Sequence, residues 1–414
     1  MDAASLSAAK SLLGTVTVAL AAGAAGGALA RQLRVPDVAV FLLVGIVLGP
    51  ELLGWLNIRG DSTINQLILI FGSSFILFDG GATLRFGVLK EVWITIVVIA
   101  TVGVLITAAI TGYAAQILLG VPPLVGLLLG ATLASTDPAT LVPIFKQVRI
   151  KDRVEQTVIS ESAFNDAMGA ILTFAVLGLA TGSSELSLAR AGVDLARQAG
   201  VGLMLGAVLG LAAGFLLGHR RYGWLAEFPP LVTVIGVGAA YLLADHLEGS
   251  GFMAVFVFGL ALGNRRTFGF QMETSEEHQM EHFVHSTALF MRLLIFMLLG
   301  AQVNFTLVAK YWLPGTVLIA VLMFVARPAT VFVCALPDRR ARWSVREMLF
   351  MCWTRETGVI PAALAGMLVG LKAPRADMIA SVTFIAVLAT ILIQAPTTRW
   401  LAARLGLLAE PSRD

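Results

Sequence analysis

The stretch Ser135–Ile150, STDPATLVPIFKQVRI, places an Asp and a Pro in the middle of a run with the composition of a buried apolar helix. Pro138 lacks a backbone N–H donor and its ring clashes with the preceding turn, so we expect the helix to break at Thr136 and Asp137. Inside a membrane, backbone groups freed by such a break are tolerated only where they line a wet cavity or meet protein partners. The stretch therefore predicts a polar site in an apolar setting.

The composition of the whole chain is that of a membrane protein. Of 414 residues, 57% are hydrophobic and 13% are charged, and the mean hydropathy is +0.86. Such a chain has too little polar surface to coat a soluble globule, which excludes a soluble enzyme. The first apolar run, Leu12–Ala30, has no obvious cleavage site, so we expect a retained span rather than a signal peptide. Cys334 and Cys352 lie in apolar segments and indicate neither a disulfide nor a metal site.

Runs long enough to cross a hydrocarbon core of about 30 Å, at roughly 20 residues each, predict thirteen transmembrane helices. They lie at about 12–30, 35–55, 64–85, 91–118, 122–146, 157–181, 195–219, 227–246, 249–264, 286–305, 311–336, 346–371 and 377–398. The connections are short and no soluble domain separates the runs. We therefore expect residues 1–414 to form a single all-α, polytopic transporter unit.

The basic residues predict an orientation in the bilayer. Nineteen Lys and Arg residues follow odd-numbered spans or lie in the C-terminal tail, and seven lie on the opposite face. By the positive-inside rule, the N-terminus lies outside and the C-terminus lies in the cytoplasm, as expected in a cell's inner (plasma) membrane. The net charge of +3 largely reflects this bias and implies no nucleic-acid partner.

Ionisable residues within the spans are the functional candidates. A charge at mid-membrane costs several kcal/mol and usually faces a pathway or a partner. The residues concerned are Asp79, Asp137, Glu161, Asp166, Arg292, Arg327, Arg355 and Glu356.

A second interruption lies in span twelve, REMLFMCWTRETGVIPAALAGMLVG, where Arg355 and Glu356 precede Gly358 and Pro361. The two interrupted spans are seven apart, and because seven is odd, a repeat with that offset has inverted topology, with spans one to six mirrored by eight to thirteen. Interrupted helices in corresponding positions of two halves point to the midplane site of a secondary transporter. Two unrelated proline kinks are the alternative.

Span six begins with the polar segment SESAFNDA. At about 100° per residue, Ser162, Asn165 and Asp166 project from one side of the helix, and Glu161 lies one position off. One face of span six is therefore polar and can face the break in span five.

Three segments carry a family resemblance: STDPAT in span five, SESAFNDA about twenty-five residues later, and VARPATVF in span eleven. In this order they resemble the monovalent cation:proton antiporter family, specifically its electroneutral sodium/proton exchanger branch in prokaryotes. The resemblance implies that Asp166 alternately holds a proton or the cation. Ser162 and Asp137 would offer side-chain oxygens and Thr136 its main-chain carbonyl as ligands of Na⁺ or K⁺, with Asn165 in support.

The resemblance also implies supporting roles. Asp79, in LFDGGATL, stands where the family often has Glu and would support the site beside Asn165 or through water. Glu161 and Arg327 would form a buried structural ion pair between spans six and eleven. The segment WTRETGVIP departs from the usual glycine-arginine-glycine pattern, so the roles of Arg355 and Glu356 in the discontinuous helix stay open.

The site residues suit cation exchange. A hard monovalent cation prefers several oxygen ligands, which implies neither a transition metal nor a cofactor. Proton and cation should compete for one negative charge, and Asn165 rather than a second Asp beside Asp166 makes the exchange one for one and electroneutral. The branch favours Na⁺, with Li⁺ also possible. K⁺/H⁺ antiport is the alternative, because the FDGG variant is similar to potassium-handling relatives.

Alternating access follows from the same resemblance. A core bundle at about 91–181 and 311–398, carrying crossed discontinuous helices five and twelve, would move against a scaffold at about 12–85 and 195–305. The family usually forms homodimers through that scaffold.

Other sites and functions are compatible with some of these residues. His278, His282 and His285 share one helical face, which predicts a solvated amphipathic helix at the interface or, alternatively, a metal site or pH sensor. An intramembrane aspartyl protease could use Asp137 and Asp166, and a cation channel would share the polar spans. Neither requires two broken helices seven spans apart.

Overall fold

The computed structural model describes residues 3–33, 37–136, 150–182, 188–218 and 224–408. Across these ranges the chain is helical, and the β-structure within them is an isolated bridge between Ile150 and Leu408. Eight helical segments in the described part are long and apolar enough to cross a membrane. The predicted all-α polytopic fold is confirmed.

The first half of the chain contains α1 (Ala3–Leu33), α2 (Asp37–Leu48), α3 (Thr63–Thr83), α4 (Phe86–Val98), α5 (Val104–Leu119), α6 (Pro123–Thr132) and α7 (Asp152–Ala180). A π-helical turn, Ile99–Gly103, joins α4 to α5 in one continuous span. The N-cap of α3 is Ser62, whose hydroxyl accepts from the N–H of Asn65. The C-cap of α5 is Gly120, whose φ of 63° is the left-handed conformation that glycine adopts without strain.

The second half contains α8 (Leu188–Gly218), α9 (Pro229–His246), α10 (Gly251–Gly263), α11 (Thr274–Ala301), α12 (Phe305–Val321), α13 (Arg327–Ala335), α14 (Val345–Trp353), α15 (Val359–Gly370) and α16 (Ala376–Leu405). A second π-helical turn, Leu322–Ala326, joins α12 to α13. The two π-helical turns lie in spans four and eleven, again seven spans apart. That correspondence is expected of an inverted repeat.

The helices differ from the predicted spans at three places. Helix α2 ends at Leu48, and residues 49–54 of the predicted second span form turns. Helix α11 begins at Thr274, so the histidine segment is the first part of span ten rather than a separate interfacial helix. The second half of span five, residues 137–146, lies outside the described residues, and the count of thirteen stays a prediction.

Glycines allow the closest helix crossings. A Cβ at Gly206 of α8 would lie 2.3 Å from the carbonyl oxygen of Ala254 in α10, and one at Gly259 of α10 would lie 2.3 Å from that of Phe78 in α3. A Cβ at Gly210 of α8 would lie 2.6 Å from that of Ala261 in α10. Small residues at helix interfaces in membranes let the backbones touch, and these glycines do so where α8 crosses α10 and α10 crosses α3.

The described helices pack in two neighbouring groups. Helices α1 to α3 contact α8 to α11, with α10 between α3 and α8, whereas α4 to α7 contact one another and α12 to α16. Helix α15 touches α3 and α11, and α7 touches α10, so these pairs join the groups. Apolar side chains such as Leu13, Tyr113 and Leu313 are more than two-thirds exposed on the outer faces, as the lipid-facing surface of a membrane protein requires.

Candidate functional site

The polar face of α7 contacts the end of α6. Helix α6 stops at Thr132, and residues 133–136 form a turn that carries Thr136 to the side of α7. The Thr136 N–H donates to Asn165 Oδ1 at 3.0 Å, and Asn165 Nδ2 donates to Thr136 Oγ1 at 2.8 Å. Ser162 Oγ donates to the Thr136 carbonyl oxygen at 2.6 Å and accepts from Thr136 Oγ1 at 2.9 Å. Two residues of α7 therefore hold Thr136 by four hydrogen bonds.

Asp166 lies next to this cluster on the same helix. Its side chain is 6% exposed, and Ser162, one helical turn earlier, is 3% exposed. Residues four apart share a helix face, so the Asp166 carboxylate and the Ser162 hydroxyl point to the same side of α7. A buried carboxylate beside a hydroxyl and a main-chain carbonyl is the oxygen-rich setting that a hard cation prefers.

Close packing positions the turn against α7. A Cβ at Gly169 would lie 2.2 Å from Ser135 Oγ, so glycine at this position lets the Ser135 side chain pack directly against α7. Gly169 lies one helical turn after Asn165, on the same face. The packing explains how the chain brings residues 135 and 136 to the polar face of α7.

Glu161 and Arg327 form the buried ion pair that the resemblance implied. Arg327 Nη2 donates to Glu161 Oε2 at 2.9 Å, and Arg327 Nη1 donates to Glu161 Oε1. The guanidinium also donates twice to the carbonyl oxygen of Met351, from Nε at 3.0 Å and from Nη2 at 2.8 Å. Both charged side chains are at most 3% exposed. The pair therefore joins α7, α13 and α14 around one guanidinium.

The interruption predicted in span twelve is present. Helix α14 ends at Trp353, residues 354–358 are not helical, and α15 begins at Val359. Thr354 Oγ1 donates to the carbonyl oxygen of Phe350 at 3.0 Å, and the Thr357 N–H donates to Thr390 Oγ1 of α16 at 3.1 Å. Protein partners thus satisfy backbone groups that the break frees, as a membrane interior requires.

Arg355 connects the two interruptions. Its Nη2 donates to the carbonyl oxygen of Leu133, the residue that follows α6, and the side chain is 2% exposed. The last carbonyls of a helix lack intrahelical partners and carry partial negative charge. A guanidinium there supplies both a hydrogen-bond donor and a positive charge. Glu356 is 1% exposed in the same break. The structure therefore brings the ends of α6 and α14 together, as expected of crossed discontinuous helices.

Asp79 lies near the end of α3, in the vicinity of the charged groups of His285 and Arg292 of α11. The side-chain hydrogen bonds of Asn165 run to Thr136. The supporting role of Asp79 beside Asn165 stays a prediction. Asp137, the other carboxylate of the implied ligand set, lies outside the described residues.

The three histidines face the outside of α11. His278, His282 and His285 are exposed, and His282 Nδ1 lies 3.3 Å from Ser286 Oγ. Within the described part of the chain, no three His, Cys, Asp or Glu side chains are grouped so that they could hold a metal ion. Exposure at the start of a long helix favours the solvated interpretation of this segment.

A separate cavity of about 470 Å³ lies between the 57–61 loop, the end of α11, α15 and the start of α16. Its wall includes Asn65 and Gln302, and Gln302 Nε2 donates to Asn65 Oδ1 at 2.8 Å. Neither Thr136 nor Asp166 lines it. The candidate cation site is thus a packed cluster away from this cavity.

Comparison with known proteins agrees with the geometry. The family model described as "Sodium/hydrogen exchanger, transmembrane" matches residues 16–404.

The chain belongs to the sodium/hydrogen exchanger family.

Members of this family are secondary transporters rather than enzymes. The Na⁺/H⁺ antiporter 1 of Methanocaldococcus jannaschii is 32% identical over 367 residues, covering 85% of this chain and 82% of that protein. The K⁺/H⁺ antiporter NhaP of Alkalimonas amylolytica is 30% identical over 384 residues, covering 90% of this chain. This chain spans 64% of that longer relative, slightly less than two thirds.

The fold of a family member has been solved. The structure of the sodium proton antiporter MjNhaP1 from Methanocaldococcus jannaschii at pH 8 matches this chain with a TM-score of 0.83 and 31% sequence identity. The match covers 96% of this chain and 99% of that one. Nearly the whole chain therefore has the architecture of this exchanger.

Two partners in the site have no signal in the sequence. The carbonyls of Leu133 and Met351 accept from the buried arginines, but any residue carries such a carbonyl. Their positions depend on where α6 and α14 run. In the sequence, only the predicted interruptions of spans five and twelve indicated the neighbourhood of these two carbonyls.

Proposed function

We propose that this chain is an electroneutral antiporter that exchanges one monovalent cation, with Na⁺ favoured and Li⁺ also accepted, for one proton. The observation that carries the proposal is the buried Asp166 carboxylate one helical turn after Ser162, whose hydroxyl donates to the Thr136 carbonyl oxygen beyond the end of α6. Membership of the sodium/hydrogen exchanger family supports the same conclusion.

In the proposed mechanism, the Asp166 carboxylate binds a proton and the cation in turn. A carboxylate buried in a low-dielectric site binds either a proton or a cation, because leaving its charge uncompensated there is costly. Ser162, the Thr136 carbonyl and, by proposal, Asp137 replace water around the cation. Asn165 holds Thr136 in place with a neutral amide and adds no second negative charge beside Asp166. One positive charge therefore enters the site for each one that leaves. Competition at one carboxylate couples the two fluxes.

Alternating access would use the division of the chain proposed from its sequence. Residues 91–181 and 311–398 form the moving core, and residues 12–85 and 195–305 form the scaffold, with the dimer contact on the scaffold. The packing of α4 to α7 with α12 to α16 supports this division. The Arg327 contacts lie within the core, so they can persist while the core moves. We place the N-terminus outside and the C-terminus in the cytoplasm of the plasma membrane on the arginine and lysine bias.

K⁺/H⁺ antiport is the second candidate, because relatives such as the NhaP protein of Alkalimonas amylolytica are named for it. Its site would use the same oxygens, since Na⁺ and K⁺ differ in size rather than in ligand preference.

Flux in proteoliposomes tests the proposal. A preformed pH gradient should collapse when Na⁺ or Li⁺ is added, at a rate that a clamped membrane potential does not change. Asp166→Asn should abolish this flux, whereas Asp61→Asn, which removes an acidic group paired with Arg59 in a surface loop, should retain it. Collapse with K⁺ but not with Na⁺ would replace the first proposal by the second. Flux through Asp166→Asn would refute both.

A further inference from the structure

Six exposed arginines lie at one end of the core bundle, where Ala341 and Trp343 of the turn between α13 and α14 belong to the same buried cluster as Ala402 of α16. Four of them fall in or just after the turn that joins α13 to α14, and two lie in the last turns of α16: Arg339, Arg340, Arg342, Arg346, Arg399 and Arg404. We call this set the arginine patch. None of the ion pairs among the described residues involves any of its members. The patch therefore presents positive charge that no carboxylate of the described chain neutralises.

The turn that carries most of the patch is held rigidly. Asp338 accepts from the N–H groups of Arg340 at 3.0 Å and Ala341 at 3.1 Å through Oδ1, and from Thr95 Oγ1 at 2.6 Å through Oδ2. Its carbonyl oxygen accepts from the Arg342 N–H at 3.1 Å. The one acidic side chain of the turn thus faces inward. Its carboxylate holds the backbone and leaves the arginine side chains outside.

Arg342 is held in an unfavourable backbone conformation. Its φ of 48° lies in the left-handed region, which costs a residue with a Cβ of order 1 kcal/mol or more. Such a conformation persists only when its surroundings impose it, and here Arg153 does so by donating to the carbonyl oxygen of Ala341. The Arg153 guanidinium lies 4.1 Å from the Trp343 ring centre, and Trp343 Nε1 donates to Thr95 Oγ1 at 2.8 Å. The contacts fix a turn that displays arginines in advance of any partner.

Apolar side chains border the patch. Leu336 is 65% exposed, Val345 58% and Trp400 60%. The Arg404 guanidinium lies 5.6 Å from the Trp400 ring centre. Exposed tryptophan beside basic residues at the end of a membrane-spanning helix is typical of the headgroup level of a bilayer.

We propose that the arginine patch binds the phosphate of an anionic phospholipid headgroup in the leaflet at this face. Guanidinium forks match phosphate oxygens in geometry as well as in charge, and clusters of four to eight basic residues beside a transmembrane helix are typical of anionic-lipid recognition. The exposed Leu336, Val345 and Trp400 would lie against the acyl chains. Lipid binding at the patch would depend on the surface charge of this face and not on the transported ion.

Titration with lipid tests the proposal in the purified, detergent-solubilised full chain. Native mass spectrometry should show dioleoylphosphatidylglycerol bound to the wild type at concentrations where dioleoylphosphatidylcholine is not. Each arginine near an anionic surface contributes about a fivefold gain in affinity, so Arg340→Gln/Arg342→Gln should bind the anionic lipid roughly 25-fold more weakly. Arg404→Gln leaves the turn intact and should cost about fivefold.

Arg85→Gln/Lys90→Gln is the matched control. It removes two exposed positive charges from the turn and first part of α4, outside the patch, and should bind the lipid like the wild type. Equal losses in this control and in Arg340→Gln/Arg342→Gln would overturn the site and leave only general charge attraction. Equal binding of the two lipids would overturn the headgroup selectivity. Displacement of the lipid by millimolar inorganic phosphate would assign the patch to a soluble anion instead.

Discussion

Removing Arg327 should destabilise the chain more than any surface change. The guanidinium makes two bonds to Glu161 and two to the Met351 carbonyl oxygen, and Arg327→Ala would leave a buried carboxylate without its counter-charge. Breaking a buried pair from one side costs about 3–5 kcal/mol. An unfolding entropy of about 2.1 cal/mol/K per residue over the 414 residues gives roughly 0.9 kcal/mol/K, so the melting midpoint should fall by roughly 3–6 °C.

The assay is thermal unfolding in one detergent at neutral pH, and the chain offers a control. Arg197 pairs with Glu248 at 2.8 Å, but both side chains are at least half exposed. Exposed pairs contribute about 0–1 kcal/mol, so Arg197→Ala should lower the midpoint by about 1 °C or less.

A third variant removes both charges of the buried pair at once. Glu161→Leu/Arg327→Met replaces both charges by apolar side chains of similar size and should recover most of the midpoint lost in Arg327→Ala. If the melting midpoint of Arg327→Ala lay within 1 °C of the wild type, or fell no further than that of Arg197→Ala, the stabilising role assigned to the pair would be wrong.

Three further predictions concern other contacts. Gly259→Ala should lower the melting midpoint by several degrees, because its Cβ would meet a carbonyl oxygen at 2.3 Å, whereas Gly238→Ala, with open space around it, should not. Arg355→Met removes the donor to the Leu133 carbonyl and should weaken cation affinity about tenfold in a binding titration, the size of one charged hydrogen bond; unchanged affinity would contradict its positioning role. Burial alone would raise the pKa of Asp338, but hydrogen bonds from the Thr95 hydroxyl and from backbone N–H groups outweigh burial and hold the pKa below the ordinary 3.8. The ionised carboxylate therefore stabilises the fold above pH 3.8, and this contribution is lost as the pH falls through the lower pKa of the folded state. The difference in melting midpoint between wild type and Asp338→Asn should therefore be full at pH 6 and shrink below pH 3.8, and a constant difference would argue against it.

Much of the site was predictable because the membrane makes polar residues conspicuous. Ser162, Asn165 and Asp166 are three polar positions on one face of an otherwise apolar helix, and such residues persist in a span only for a reason. Pro138 and the segment around Arg355 marked the two interruptions in the same way. The pairing of Glu161 with Arg327 came from the resemblance rather than from helix periodicity.

Other features had no local signal. The π-helical turns at Ile99–Gly103 and Leu322–Ala326 occur in uninterrupted apolar sequence. Each inserts an extra residue just before a helix that packs against the other span: Thr107 Oγ1 of α5 lies 2.9 Å from Thr330 Oγ1 of α13. The continuity of the histidine segment with α11 was missed because polar composition suggested an interfacial helix. Helical propensity continues through a change from polar to apolar residues, so composition alone does not place that boundary.

Proton release on cation binding tests the central claim most directly. In a weakly buffered detergent solution with a pH indicator, adding Na⁺ to protonated wild-type protein should release close to one proton for each Na⁺ bound. Asp166→Asn should release none. Sodium binding without proton release in the wild type, or equal release in the two proteins, would contradict a single carboxylate that holds either ion in turn.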